Sequence, residues 1–389
     1  MLVAIGVDQL FEQAVEAGDV PGVVALAADD TGVIYQGAFG KRVLGGDADM
    51  TVDTVAWIAS MTKAITSVAA MQLVEQGQVT LDEPLVNRLP ELADIQVLEG
   101  FDDAGVPKLR APRRPITLRH LLTHTAGFTY DIWSQDMLRY EQYAGIPGIT
   151  ECKLATLKLP LEFDPGERWQ YGINIDWVGQ TVERLSGQRL EEYFRDHIFQ
   201  PLGMSSSSFL LSASQRERLA GMHTREADGS LQSLPFEMEQ NPEFYMGGGG
   251  LYSSGPDYVR FLRMLLGNGA LDGARILNEE TVAEMNRNQI GDLSVGLLST
   301  ALPGASNDAE FFPGLPKKWG LAYMINAEDA PVGRTAGSLA WAGLANTYYW
   351  IEPQRRVAGV ILTQVLPFAD PTVLNLFENF ERAIYAGID

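Results

Sequence analysis

One cysteine, four histidines and no long apolar run narrow this 389-residue chain before any motif is read. With Cys152 as the sole cysteine, an intramolecular disulfide framework is excluded. Its neighbours Glu151 and Lys153 set one anion against one cation, so nothing local activates the thiol. No apolar stretch approaches the roughly 18 residues of a membrane span. The run from Met1 to Asp8 is too short, and lacks the basic residues, for a secretion signal. The expectation is a soluble, cytoplasmic protein. Positive charge is scarce as well: 29 Lys and Arg face 50 Asp and Glu, a formal charge of −21. Such a surface repels polyanions, which argues against nucleic acid and anionic membranes as partners.

Other absences exclude chemistries. Gly-x-Ser-x-Gly occurs nowhere, and His197 and His223 stand alone, so neither a nucleophile elbow nor a Ser-His-Asp triad suggests itself. His120 and His124 have the i, i+4 spacing of zinc ligands, but Leu121 stands where a metalloprotease has its glutamate. Gly247–Gly250 is not followed by Lys-Ser/Thr, so it reads as a crowded turn beside a cleft rather than a phosphate cradle. No metal or cofactor is called for. Lys108, Arg110, Arg113 and Arg114 form a small basic patch, most simply a solvated loop.

What is present is a folded chain, 46% hydrophobic and 9% aromatic, long enough for two domains or one large one. Apolar periodicity predicts helices over 7–17, from Ser60 to Leu73, and over 118–123, 176–185, 190–198, 257–266, 279–289 and 371–385. Strand patterns cover 23–28 and 33–39, joined by an Asp29-Asp30-Thr31-Gly32 turn, then 319–326, 344–351 and 357–365. Few strand patterns appear between. Strands near both ends predict an α+β protein. Residues 1–85 and 248–389 would build one antiparallel sheet, and 86–247 a mainly helical insertion, with the active site in the cleft between.

Ser60-Met61-Thr62-Lys63 sits at the predicted start of a helix. Residues i and i+3 share a helix face, so the Lys63 amine can reach the Ser60 hydroxyl. A serine becomes nucleophilic when a neighbouring base takes its proton. Free N–H groups and the helix dipole at that position suit a developing oxyanion.

Four ordered stretches carry a resemblance: Ser60 to Lys63, Leu121-Leu-Thr-His-Thr-Ala-Gly127, Asp164-Pro-Gly-Glu-Arg-Trp-Gln-Tyr171 and Gly249-Gly-Leu-Tyr-Ser-Ser254. Over nearly its whole length the chain resembles the serine beta-lactamase-related hydrolases, and within them the family VIII carboxylesterases. The resemblance implies a beta-lactamase/transpeptidase-like fold and an acyl-enzyme mechanism. Ser60 would be the nucleophile, Lys63 would organise its proton network, and Tyr171 would share the serine proton and protonate the leaving alcohol. Whether Lys63 or Tyr171 is the base stays open, since a nearby cation can lower a tyrosine pKa. The oxyanion hole would combine the backbone N–H groups of Ser60 and Leu344, the latter on an edge strand with Trp341-Ala342-Gly343. Gly343 would allow the strand to approach the acyl group. Phe128, Tyr130 and Tyr245 are further candidates for pocket walls.

Two departures from the lactamase pattern bear on the substrate. The amide of Tyr-x-Asn is replaced by Ile173, and Asn174 lies one residue late. Trp341 and Ala342 replace the Lys and Thr of Lys-Thr-Gly. Charge-assisted hydrogen bonds of about 1.5–3 kcal/mol each are thereby lost to a lactam and its carboxylate. A small, short-chain ester fits better, which makes the expected activity that of a carboxylesterase. The rivals are an acyltransferase using the same site, a beta-lactamase or D-amino-acid peptidase, and a catalytically silent penicillin-binding-like sensor.

Overall fold

The computed structural model describes residues 2–388. Helix α1 (Leu2–Glu16) leads into β1 (Gly22–Asp29) and β2 (Val33–Gly40). The turn between the strands is closed by the Asp29 carboxylate, which accepts from the N–H groups of Thr31 and Gly32. Farther along come α2 (Thr62–Glu75), α3 (Asn174–Ser186) and α4 (Gly255–Leu266). Then follow β3 (Lys317–Trp319), β4 (Met324–Asn326), β5 (Leu339–Gly343), β6 (Thr347–Glu352), β7 (Val357–Leu362) and α5 (Pro371–Ile388). The seven strands form one sheet in the order β3-β4-β5-β6-β7-β1-β2. Every pairing is antiparallel, and β1 closes the gap between the chain ends by pairing with β7.

Alternation along the strands decides what each face meets. Val24 and Leu26 of β1 point toward α4, where a Cβ on Gly255 would lie 2.3 Å from a Leu26 methyl. Tyr35 and Phe39 of β2 point the other way and pack on Phe11 of α1. On that same side Tyr348 and Trp350 of β6 pack on Phe377 and Phe380 of α5. With both faces covered, β6 and β7 are buried throughout, which is why they read as continuous apolar runs.

Several predicted boundaries are corrected. The run 319–326 is two strands with a turn at Gly320, where a Cβ would lie 2.1 Å from the Met285 carbonyl oxygen. The run 344–351 begins with the turn from β5 to β6, in which Asn346 has φ of 55°. The run 357–365 ends its sheet pairing at Leu362, after which Val365–Leu366 joins a separate small sheet beside Met222–Arg225. Apolar residues lie on both sides of each break, so hydropathy alone hides it. The middle of the chain also holds more strand than expected: Val97–Phe101 pairs with Pro107–Arg110, and Met222–Arg225 with Leu231–Leu234. A helix at Gln135–Ala144, capped by the Ser134 side chain, escaped its weakly apolar pattern.

The basic patch is not solvated throughout. Arg110 makes two hydrogen bonds to the buried Asp164 carboxylate, at 3.0 and 2.8 Å, and the Arg113 N–H adds a third at 2.7 Å. These bonds, led by Arg110, hold Asp164 down at a pKa of about 2 from its ordinary 3.8. A depressed carboxylate contributes stability above its unfolded pKa and loses it as pH falls through the folded one. In acid unfolding, Asp164→Asn is expected to flatten the loss of stability between about pH 4 and pH 2, read by circular dichroism. A deeper ion pair joins Arg334 to Glu381 of α5 at 2.7 Å, with both side chains almost wholly buried. Arg334→Ala leaves a buried carboxylate without its partner, and urea denaturation should show a loss of about 3–5 kcal/mol.

Candidate active site

The region around Ser60 is built by two of the four signatures. Val55–Trp57 pairs antiparallel with Tyr252–Ser254, Val55 opposite Ser254 and Trp57 opposite Tyr252. Ile58 N–H then donates to Leu251 O at 3.0 Å. Gln364 clasps the backbone of Trp57 from the other side, accepting from its N–H at 2.9 Å and donating to its carbonyl at 3.0 Å. The chain then makes one tight turn, Ala59–Met61, before α2 begins at Thr62. Ser60 therefore lies in the turn ahead of the α-helix, and Ala59 before it has φ of 43°. A non-glycine residue there is strained by about 1–3 kcal/mol and is held by its surroundings. Thr62 helps: its hydroxyl donates to Ala59 O and accepts from Leu251 N–H.

The other two signatures are joined in the same way. Gly166 N–H donates to Thr125 O, Gln170 N–H to His124 O and Glu162 N–H to Gly127 O. Gly127 has φ of 107°, and a Cβ there would lie 2.3 Å from Phe163 O. Tyr171 emerges from this pair of joined loops next to α3.

Lys63 bridges the two halves. Its amine lies 3.1 Å from Ser60 Oγ, 3.1 Å from Tyr130 Oη and 2.5 Å from Gly248 O. It also sits 4.6 Å from the centre of the Tyr171 ring. The Tyr171 hydroxyl is within hydrogen-bond reach of Ser60 and accepts from Trp341 Nε1 at 2.9 Å. An indole N–H can only donate, so the bond from Trp341 leaves the phenolic proton free to point at Ser60.

Burial dominates the electrostatics. It lowers the Lys63 pKa well below that of a free lysine, opposed by the nearby Asp176 carboxylate. The same burial raises both Tyr171 and Tyr130. Hydrogen bonds to Ser60 and Trp341 pull the Tyr171 phenol the other way, but burial leads. Of the three groups around Ser60, the amine alone is shifted toward its proton-accepting form at neutral pH.

The remaining sequence candidates separate. Leu344 lies in the turn after β5 and lines a narrow cavity with Ser60, Tyr130, Trp57, Trp133 and Met246. That cavity holds about 30 Å³. Trp341 faces the site, but Ala342 does not. It pairs with Tyr348, whose ring lies on the α5 face of the sheet. Gly343 allows a close approach, though to the Ile58 carbonyl, 2.3 Å from an imagined Cβ, and not to an acyl group. Strand β5 is third in the sheet rather than an edge strand, yet β4 pairs only with Leu339 and Ala340, which leaves Trp341–Gly343 unpaired on that side.

Phe128 and Tyr245 are absent from the cavity. Phe128 is buried against Trp177, and Tyr245 packs on Phe209 beneath Arg189. Asn174 is spent on structure, donating to Phe128 O and to His124 Nδ1. His120 caps its own helix through Thr117, and among the described residues no cluster of His, Cys, Asp and Glu could hold a metal. Burial pushes the Cys152 thiol up to about 12, which keeps it inert. A larger cavity of about 550 Å³ lies against the far side of Trp177, but no residue of the four signatures lines it.

Sequence reasoning missed two neighbours of Lys63. Tyr130 lines the cavity, as expected of a pocket wall, and also bonds the amine. Asp176 carried no signal at all. The glycine run is explained by this crowding: a Cβ on Gly248 would lie 2.6 Å from Asp176 Oδ2, while Gly247 O and Gly249 O accept from Thr66 and Trp57.

A helix-flanked antiparallel sheet with Ser60, Lys63 and Tyr171 converging beside it defines the beta-lactamase/transpeptidase-like fold. The Beta-lactamase family profile matches residues 7–380, and the chain belongs to that family. It is 34% identical to a monacolin J acid methylbutanoyltransferase of Aspergillus terreus, over 97% of this chain and 94% of that one. It is 33% identical to a lovastatin esterase of Penicillium rubens, over 97% of each. Among solved structures, unliganded simvastatin synthase from Aspergillus terreus superposes with a TM-score of 0.84 at 33% identity, covering 99% of this chain and 98% of that one. The chain is thus an enzyme of the serine beta-lactamase-like family, with relatives named for ester hydrolysis and for acyl transfer.

The hydrogen bond from Trp341 to Tyr171 can be tested alone. Trp341→Phe keeps an aromatic ring and removes one donor of about 0.5–1.5 kcal/mol. Turnover of an ester should fall roughly 2- to 10-fold in kcat, with KM little changed, in steady-state kinetics.

Proposed function

We propose that this enzyme takes a small, uncharged acyl group from an ester onto Ser60 and releases it to water or to an alcohol. The observation that carries the reading is the Lys63 amine, buried and 3.1 Å from Ser60 Oγ. As the free base it accepts the serine proton while Oγ attacks the ester carbonyl. The Ser60 and Leu344 N–H groups receive the oxyanion. Tyr171, oriented by Trp341, hands a proton to the departing alkoxide and recovers it from the Lys63 ammonium, while Tyr130 keeps the amine in register. The ester C–O bond breaks, the alcohol leaves, and the acyl group stays on Ser60. Water or a second alcohol then repeats the steps in reverse order of proton transfer.

The walls of the cavity favour a short acyl chain without charge. Trp57, Ile132, Trp133, Ile149, Met246 and Leu344 surround Ser60 with apolar surface. The relatives named for moving a methylbutanoyl group and for cleaving lovastatin support the same choice, a small acyl group on a bulky alcohol. Neither Ile173 nor Trp341 offers a charge to a carboxylate, which disfavours a beta-lactam substrate. A family VIII esterase is the narrower assignment consistent with these features. Acyl transfer is the second reading, favoured by the transferase relative at 34% identity.

Activity on p-nitrophenyl acetate and butyrate should fall on the order of 10³-fold or more in Ser60→Ala. Retained activity would remove Ser60 from the mechanism. Adding an alcohol to the wild-type assay should divert product from acid to new ester if transfer competes with hydrolysis. Nitrocefin turnover as fast as ester turnover would contradict the reading of Ile173 and Trp341.

A further inference from the structure

Asp176 is a buried carboxylate for which the acyl-transfer steps above have no use. It lies in the first turn of α3 and is wholly inaccessible. Its Oδ1 accepts from Gly248 N–H at 2.9 Å, while Oδ2 has no hydrogen-bond partner. Gly248 in turn presents its carbonyl to the Lys63 amine at 2.5 Å. One glycine therefore touches the carboxylate with its N–H and the amine with its C=O. An isolated carboxylate in such a place costs several kcal/mol unless something compensates. Helix packing would be served better by an apolar side chain.

We propose that Asp176 is a positioning residue for acyl transfer: it fixes Gly248, whose carbonyl holds the Lys63 amine on Ser60, and its charge sets the pH at which that amine yields its proton. The inference rests on the Ser60–Lys63 reading of the site. The charge acts in one direction, because a nearby anion stabilises the ammonium over the free amine. The other groups facing Asp176 are Tyr130, Tyr171 and Cys152, and His124 faces Lys63 from the signature that begins at Leu121. Burial keeps the two phenols, the thiol and the imidazole neutral. Burial raises the Asp176 carboxyl itself, opposed by the Lys63 cation, so carboxylate and amine titrate as a pair. Removing the Asp176 charge is read chiefly by the amine, the one cation among these groups.

Asparagine separates charge from position, since its amide oxygen can still accept from Gly248 N–H. The test is the rate at which a p-nitrophenyl phosphonate labels Ser60, measured between pH 5 and pH 9 for wild type, Asp176→Asn and Asp176→Ser. Labelling should rise as the amine loses its proton. In both neutral variants the acidic limb should move to lower pH by about one unit or more. A limb that stays in place in a folded variant overturns the inference. Where neither variant folds, carboxyl carbon-13 NMR of the wild-type protein decides. The Asp176 signal should respond in the same pH step as labelling, and independent titration overturns the proposal. Wild-type protein that is labelled at no pH sinks the Ser60–Lys63 reading itself, a result distinct from labelling with an unmoved limb.

Discussion

The burial of one amine organises this molecule. Lys63 is 2% exposed, held between Ser60, Tyr130 and Gly248. An ammonium carried that deep loses hydration worth several kcal/mol, and its surroundings answer with acceptors: a serine hydroxyl, a phenol and a backbone carbonyl, with a carboxylate behind. Much of the local architecture follows from providing them. Gly248 must lack a side chain because carboxylate and amine approach it from two sides. Thr62 and Gln364 hold the strained turn that brings Ser60 to the amine. A lysine on the surface at position 63 would need none of this, and would be protonated and useless as a base.

That arrangement also bears on substrate class. Tyr171 receives its hydrogen bond from an indole, where lactamase relatives carry a lysine on the corresponding strand. An indole orients the phenol without adding charge. With Asp176 already opposing Lys63, a second cation there would change the charge balance of the pocket. Apolar walls and a neutral donor suit a carbonyl compound that brings no carboxylate of its own.

Much of this was legible in the sequence, for reasons that also mark where reading stopped. Ser60, Lys63 and Tyr171 meet as the motifs implied, because short motifs record local geometry directly. The sheet built from both chain ends followed from where the strand patterns fell. Ala342 was misplaced although alternation could have placed it: once Trp341 faces the site, its neighbour faces α5. Phe128 and Tyr245 were chosen for being aromatic near a signature, and packing put both elsewhere. Tyr130 and Asp176 were invisible as neighbours of Lys63. Contacts between residues 67 or more positions apart arise from tertiary packing, which no periodicity encodes. The strand breaks at Gly320 and at Leu344–Asn346 were hidden because apolar residues lie on both sides of each.

The clasp of Gln364 on Trp57 has a consequence in time. It joins residues 307 positions apart, and the strand that precedes Gln364 pairs with β1 near the other end of the chain. Contacts so distant in sequence form late and slowly. While the chain is being synthesised, the serine and its lysine emerge early, yet the turn that presents them lacks its outer support until residue 364 has appeared. A growing chain thus carries Ser60 and Lys63 for about 300 residues before Gln364 can clasp the turn that presents them.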